Sequence, residues 1–168
     1  MLAGTHARAY VSAGSNIEPE KNLGNAIAEL RRRFGDLELS TVYRTAAVGF
    51  DGDDFLNLAL SFTTRRTVDE VVAELDEIEY AAGRRRGGER FSSRTLDLDL
   101  LLFADAVIDT PDLQLPRADI LEYAFVLGPL AEIAPDLVHP LERVTIGELW
   151  SRFDRGGQAM EPLATGLG

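Results

Sequence analysis

Thr95-Leu96-Asp97-Leu98-Asp99-Leu100-Leu101-Leu102-Phe103 reads as one β-strand running into a core. Successive side chains of a strand point to opposite faces, so Asp97 and Asp99 share one face while Leu96, Leu98 and Leu100 share the other. Two carboxylates therefore converge. Left alone they repel and one is driven to hold a proton, a penalty that a bound divalent cation removes by supplying opposite charge. The competing reading is an amphipathic edge strand with a solvated polar face.

The residues before the strand favour the cation. Gly83-Arg84-Arg85-Arg86-Gly87-Gly88-Glu89-Arg90-Phe91-Ser92-Ser93-Arg94 carries five arginines in a glycine-rich loop. The whole chain is nevertheless acidic, with 28 Asp plus Glu against 17 Lys plus Arg and a formal net charge of -11. Most of such a surface repels a polyanion, which argues against a nucleic-acid partner. A local basic loop suits a small phosphorylated ligand instead, because planar guanidinium groups bond phosphate oxygens bidentately. Hard oxygen ligands beside phosphate-binding arginines point to magnesium. Gly83, Gly87 and Gly88 give the loop freedom, and its closure is expected to wait for ligand.

Outward from this block, Ala9–Ala13 reads as a buried first strand that ends in Gly14-Ser15-Asn16. Pro19 suits the first turn of a helix whose Leu23, Ile27, Leu30 and Phe34 recur at helical spacing until Gly35 stops it. Leu37–Thr45 and Leu56–Thr64 alternate as strands. Their connection holds Asp51, Asp53 and Asp54 but lacks the oxygen spacing and the terminal glutamate of a calcium loop. Thr67 with Glu70 forms a capping box before a helix striped by Val68, Val71, Val72, Leu75 and Ile78. After the aspartate strand come a strand-turn segment, Val107–Leu115, and helical stretches around Ile120–Glu132 and Ile146–Phe153, interrupted by Pro or Gly. The order βαββαβ with C-terminal additions fits a ferredoxin-like α/β sandwich, one α+β domain spanning residues 1–168. Residues 1–8 and 156–168 are expected to be flexible ends.

Composition bounds the chemistry. At 168 residues and 45% hydrophobic content the chain can bury a proper core. It has no apolar run long enough for a membrane span and no leader pattern, so a cytoplasmic protein without a membrane partner is the expectation. The absence of cysteine excludes thiolate nucleophiles and Cys-ligated zinc. His6 and His139, the two histidines, lie far in sequence from the aspartates, so His-based triads and His-metal schemes are poorly supplied.

The blocks Gly83-Arg84-Arg85-Arg86 and Arg90-Phe91-Ser92-Ser93-Arg94-Thr95-Leu96-Asp97-Leu98-Asp99 make the chain recognisable. With Val11–Asn16, Val42-Tyr43-Arg44-Thr45, Phe55-Leu56-Asn57 and Ala124–Asp136, the chain resembles the 6-hydroxymethyl-7,8-dihydropterin pyrophosphokinase family as a divergent member. The resemblance covers Ala9 to about Phe153. It implies an ATP-dependent diphosphotransferase of folate biosynthesis, which moves diphosphate from ATP to a pterin alcohol and releases AMP. Asp97 and Asp99 then match the ligands of two magnesium ions, and Arg84 and Arg94 match arginines that contact phosphates during transfer. Arg86 matches a residue that closes over ATP. Asp76, Glu79, Leu100 and Arg117 fall at further ATP-binding positions. Asn57 matches the side chain that hydrogen-bonds the pterin, with Thr45 and Val48 offering backbone contacts and Phe55, Phe91 and Phe125 lining or stacking on the ring. Other folate-pathway enzymes are the candidate protein partners.

Departures from the family pattern bear on function. Thr45-Ala46-Ala47 stands where Thr-Pro-Pro is common, and Phe91-Ser92-Ser93-Arg94 where Trp-Gly-Pro-Arg is common. Arg117 replaces a common histidine and Tyr123 a common arginine, so one cation of the nucleotide clamp is missing. Two other readings follow: a pterin- or nucleotide-binding paralogue with weak or no transfer, and a ferredoxin-like RNA-binding module. Net acidity and the lack of a glycine-aromatic consensus oppose the second.

Overall fold

The computed structural model describes residues 6–47, 51–83 and 95–164. The first strand, β1 (Ala7–Ser15), pairs antiparallel on one side with β4 (Phe55–Thr64) and on the other with β5 (Asp97–Phe103). Beyond β4 lie β2 (Glu38–Leu39) and β3 (Tyr43–Thr45), and β8 (Glu161–Pro162) completes the edge next to β3. The helices α1 (Pro19–Phe34) and α2 (Val68–Ala81) follow β1 and β4 in the chain. Strand order β5-β1-β4-β3 with two crossover helices is the ferredoxin-like arrangement that the element order predicts.

Local chemistry explains the helices. Pro19 occupies the first turn of α1, and Gly35, at φ 84°, ends it with its N–H donating to the Arg31 carbonyl at 2.9 Å. In α2 the capping box forms in full: Glu70 N–H donates to Thr67 Oγ1 at 3.2 Å and Thr67 N–H to Glu70 Oε1 at 2.9 Å. The apolar stripes of both helices, Leu23, Ala26, Ile27, Leu30, Val71, Leu75 and Ile78, pack on the face of the sheet that carries Val11, Ala13, Leu58, Leu60, Leu98 and Leu100.

The opposite face is covered by α3 (Asp119–Glu122), α4 (Ala124–Ile133) and α5 (Ile146–Arg152), which pack on Ala59, Leu101 and Leu102. A short hairpin, β6 (Ile108–Asp109) with β7 (Gln114–Leu115), links β5 to α3. The additions thus turn a two-layer sandwich into three layers. This third layer roofs part of the face on which Asp97 and Asp99 sit.

Three local details depart from the sequence pattern. The strand expected over Leu37–Thr45 is split into β2 and β3, because Ser40 Oγ takes the Ala59 N–H at 2.9 Å and Glu132 takes the Thr41 N–H at 2.6 Å. Alternation in β5 holds to Leu100 and then slips: a register shift opposite Tyr10/Val11 puts both Leu101 and Leu102 against the α4 layer. The helical stretch 120–132 breaks at Tyr123, whose backbone is extended, whereas Gly128 and Pro129 lie inside α4. At the ends expected to be flexible, Ala7 and Arg8 belong to β1 and Glu161–Pro162 form β8, while residues 1–5 and 165–168 lie outside the described residues.

Candidate active site

Register places the key side chains in one row. Gly14 of β1 pairs with Asn57 of β4 on one side and with Asp97 of β5 on the other, so all three share a sheet face. Strand spacing sets Asn57 and Asp97 roughly 9–10 Å apart across Gly14. Two residues along, on the same face, Ser12 pairs with Asp99 and Ala59. The two aspartates and Asn57 therefore face the same space from different strands.

Asn57 is buried, and its side-chain Nδ2 donates to Thr45 Oγ1 at 2.6 Å. That bond fixes the orientation of the amide plane. Thr45, expected to offer only its backbone, also uses its hydroxyl to hold Asn57. The half-buried Phe55 pairs with Thr45 across β3 and β4, on the same face. From the roof, Phe125 of α4 stacks on Tyr123 with ring centroids 5.1 Å apart and planes inclined by 24°. Glu132 ties α4 to the sheet by accepting from Thr41 N–H at 2.6 Å, Thr41 Oγ1 at 2.8 Å and Tyr43 OH at 2.7 Å. Burial alone would raise the Glu132 pKa, yet these donors hold it below the ordinary carboxylate range.

The aspartates form a second cluster with Glu79 of α2. Carboxylate oxygens of Glu79, Asp97 and Asp99 lie within 4.8 Å of one another, and this is the one such group of potential ligands among the described residues. Glu79 Oε2 also accepts from the Leu98 amide at 2.7 Å, on the outer edge of β5. It therefore pins the strand between the two aspartates. A cleft of about 650 Å³ opens here, lined by Asp76, Glu79 and Tyr80 from α2, Asp99 and Leu100 from β5, and Asp112, Leu113 and Arg117 beyond. Three clustered carboxylates suit a hard divalent cation, and the cleft beside them has room for a nucleotide.

Arg117 supplies the positive charge on the far wall. Its Nη2 lies 3.6 Å from Asp99 Oδ1 and its Nε 3.4 Å from Asp119 Oδ2. Burial lowers its pKa, but Asp99, Asp119 and Asp97 outweigh burial and the net shift is upward. Its charge is thus secure. Tyr123, at the other departure from the family pattern, turns its ring to Phe125.

Asn57, Thr45 and Phe55 share one end of the face, Phe125 lies in the covering layer against Tyr123, and Asp97, Asp99, Glu79, Asp76 and Arg117 gather around the cleft. Leu100 contributes to the cleft wall while its side chain is buried in the α1/α2 core. Arg84, Arg86, Phe91, Arg94 and Val48 lie outside the described residues. Gly14 was passed over by the sequence reading. A Cβ there would lie 2.5 Å from Asn57 Oδ1. The signal was present, a glycine at the end of an apolar strand, but only strand pairing shows what it makes room for.

Comparison with known proteins gives the family. Residues 10–135 match the family model of 7,8-dihydro-6-hydroxymethylpterin-pyrophosphokinase (HPPK). The chain belongs to the HPPK family. A 2-amino-4-hydroxy-6-hydroxymethyldihydropteridine pyrophosphokinase of Synechocystis sp. is 38% identical over 162 residues, covering 95% of this chain and 82% of the relative. One of Aquifex aeolicus is 33% identical, covering 84% and 89%. Among solved structures, Plasmodium falciparum HPPK-DHPS superimposes with a TM-score of 0.72 at 13% identity over 88% of this chain. This likeness concerns the fold alone, and the chain spans 42% of that larger protein. As an HPPK family member the chain is a pyrophosphokinase, which favours the enzyme reading over a paralogue without transfer. Among the described residues no helix is long and apolar enough to cross a membrane.

Proposed function

We propose that this chain transfers diphosphate from ATP to the hydroxymethyl group of 6-hydroxymethyl-7,8-dihydropterin, releasing AMP and the pterin diphosphate. The observation that carries the reading is the row Asn57-Gly14-Asp97, which sets a pterin-type hydrogen-bonding side chain beside a carboxylate cluster on one sheet face. The pterin lies against Asn57, with Phe55 and Phe125 on its flat faces and backbone contacts from Thr45 and Val48. Phe91 completes the lining. ATP occupies the cleft beside Asp76, Glu79, Leu100 and Arg117.

Asp97 and Asp99 would hold magnesium, two ions in this proposal, and the metal would supply positive charge against the phosphates. The protein's own part is positional. Asn57 orients the pterin so that its hydroxymethyl oxygen faces the β-phosphorus, and Glu79 keeps the aspartates in register through the Leu98 amide. Arg117 opposes the negative charge of the cluster, while Arg84 and Arg94 stabilise charge developing on the transferred diphosphate and Arg86 closes the loop. Cytoplasmic folate synthesis is the setting this chemistry implies.

The test is an AMP-release assay with ATP, magnesium and each candidate pterin. Stoichiometric AMP and pterin diphosphate from the hydroxymethyl substrate, with ADP absent, are expected. ADP release or indifference to the pterin would overturn the reading.

A further inference from the structure

The chain beyond α5 returns to the site rather than leaving it. Residues of β8 pair with β3, Pro162 opposite Tyr43 and Glu161 opposite Arg44, and the Leu163 N–H donates to the Val42 carbonyl at 2.8 Å. Four residues before β8's end, Gln158 reaches the junction between α3 and α4. Its Oε1 accepts from the Ala124 N–H at 2.8 Å and its Nε2 donates to the Glu122 carbonyl at 3.2 Å. Donor and acceptor both match, which fixes the orientation of the amide. Tyr123, the residue before α4, offers no side-chain cap of its own, so Gln158 supplies it from 34 residues away.

Both anchor points adjoin the pocket. Ala124 precedes Phe125, and the strand held by β8 carries Thr45, which in turn holds Asn57 at 2.6 Å. Between the anchors, Met160 packs on α4 at Gly128, where an added Cβ would stand 3.1 Å from the Met160 Cε and 3.0 Å from the Trp150 ring. We propose that the segment Gln158–Leu163 is a strap that sets the distance between the two walls of the pterin pocket, with Gln158 as the positioning residue for Phe125. Without the strap, the first turn of α4 lacks its cap and the edge of β3 is uncovered. Phe125 then samples positions that do not stack on the ring, which weakens pterin binding and leaves the nucleotide cleft on the opposite edge intact.

The inference rests on the pterin assignment of Asn57 and Phe125, so the experiment carries an arm for each. In the full chain, Gln158→Ala is expected to raise the KM for the pterin about three- to tenfold with the KM for ATP unchanged. Gln158→Glu keeps an acceptor for the Ala124 N–H and should restore most of the pterin affinity. A melting temperature lowered by both variants alike, with pterin KM unchanged, would reduce the strap to ordinary stabilisation and overturn the proposal. Equal rises in both KM values would do the same. Phe125→Ala is the control: if it leaves pterin KM unchanged, the pocket assignment itself fails, whatever Gln158 does.

Discussion

Gly14 and Asn57 are fitted to each other: a methyl group on Gly14 would stand 2.5 Å from the Asn57 Oδ1. The obstructed atom is the end of a side chain, not backbone, so the sheet can absorb the change by displacing the amide. Displacement breaks the bond to Thr45 Oγ1. Gly14→Ala is therefore expected to leave the protein folded, with about 1–2 kcal/mol of stability lost, and to weaken pterin binding about tenfold or more. ATP binding should not change. Asn57→Ala should produce the same pattern, and calorimetry with each substrate decides whether the two variants behave alike.

Asp97 and Asp99 can be separated from the fold. Replacing either with Asn preserves size and removes charge, so transfer should fall by orders of magnitude while the protein stays folded. Magnesium with a non-hydrolysable ATP analogue should raise the melting temperature of the unaltered protein more than the sum of the two separately. Near-normal turnover in both single variants would rule out the carboxylates as metal ligands.

Glu79 invites a finer distinction, because it both belongs to the carboxylate cluster and accepts from the Leu98 amide. Glu79→Gln keeps an acceptor for that amide, whereas Glu79→Ala leaves it without one. The expectation is that Gln retains transfer within about threefold and Ala loses about tenfold or more. Equal losses in both, accompanied by a higher magnesium requirement, would make Glu79 a charge-bearing ligand instead of a strand clamp.

The helices and the ferredoxin-like order were legible because their signals are local: Pro19 and Gly35 bracket α1, and Thr67 with Glu70 opens α2. The aspartate face was legible for the same reason, since period-two alternation is a property of consecutive residues. What escaped depends on distant partners. The break at Ser40 needs Glu132, 91 residues beyond Thr41, and the split at Tyr123 is completed by Gln158. The slip in β5 at Leu101 is set by its pairing with β1, which no pattern within β5 reveals. Glu79 was singled out only through the family resemblance, because nothing in α2 announces the edge strand whose Leu98 amide it accepts from.

Tyr123 and Arg117 test how the chain manages without the common arginine. Tyr123 spends its ring on Phe125, 5.1 Å away, so Tyr123→Arg should weaken pterin binding several-fold by removing that contact. ATP affinity should stay unchanged in the single variant, because Arg117 already places a cation 3.6 Å from Asp99. With Arg117→His present as well, the added arginine should tighten ATP relative to Arg117→His alone. A tighter ATP complex in the single variant would show that Arg117 does not compensate.

His139 gives the fold a pH dependence distinct from that of the carboxylates. It is 2% exposed, and its Nδ1 accepts from the Leu141 N–H at 3.2 Å and the Glu142 N–H at 3.0 Å, so the turn before α5 requires the neutral ring. Burial pushes the imidazole pKa below its ordinary value of 6.5, against the pull of Glu142. Below 6.5 the unfolded chain then binds a proton that the native chain refuses, so stability is full above that pH and declines as pH falls through it. Glu132, whose pKa is also depressed, adds its own loss only as pH falls below the ordinary carboxylate value of 4.5. The two losses begin at different pH. Urea unfolding from about pH 7.5 to about pH 5.5 should therefore show a loss of stability that His139→Asn largely removes, since an amide oxygen accepts the same two N–H groups without titrating near neutrality. Identical pH slopes for the two proteins would mean that the native turn tolerates the imidazolium, and that its two backbone amides have found other acceptors.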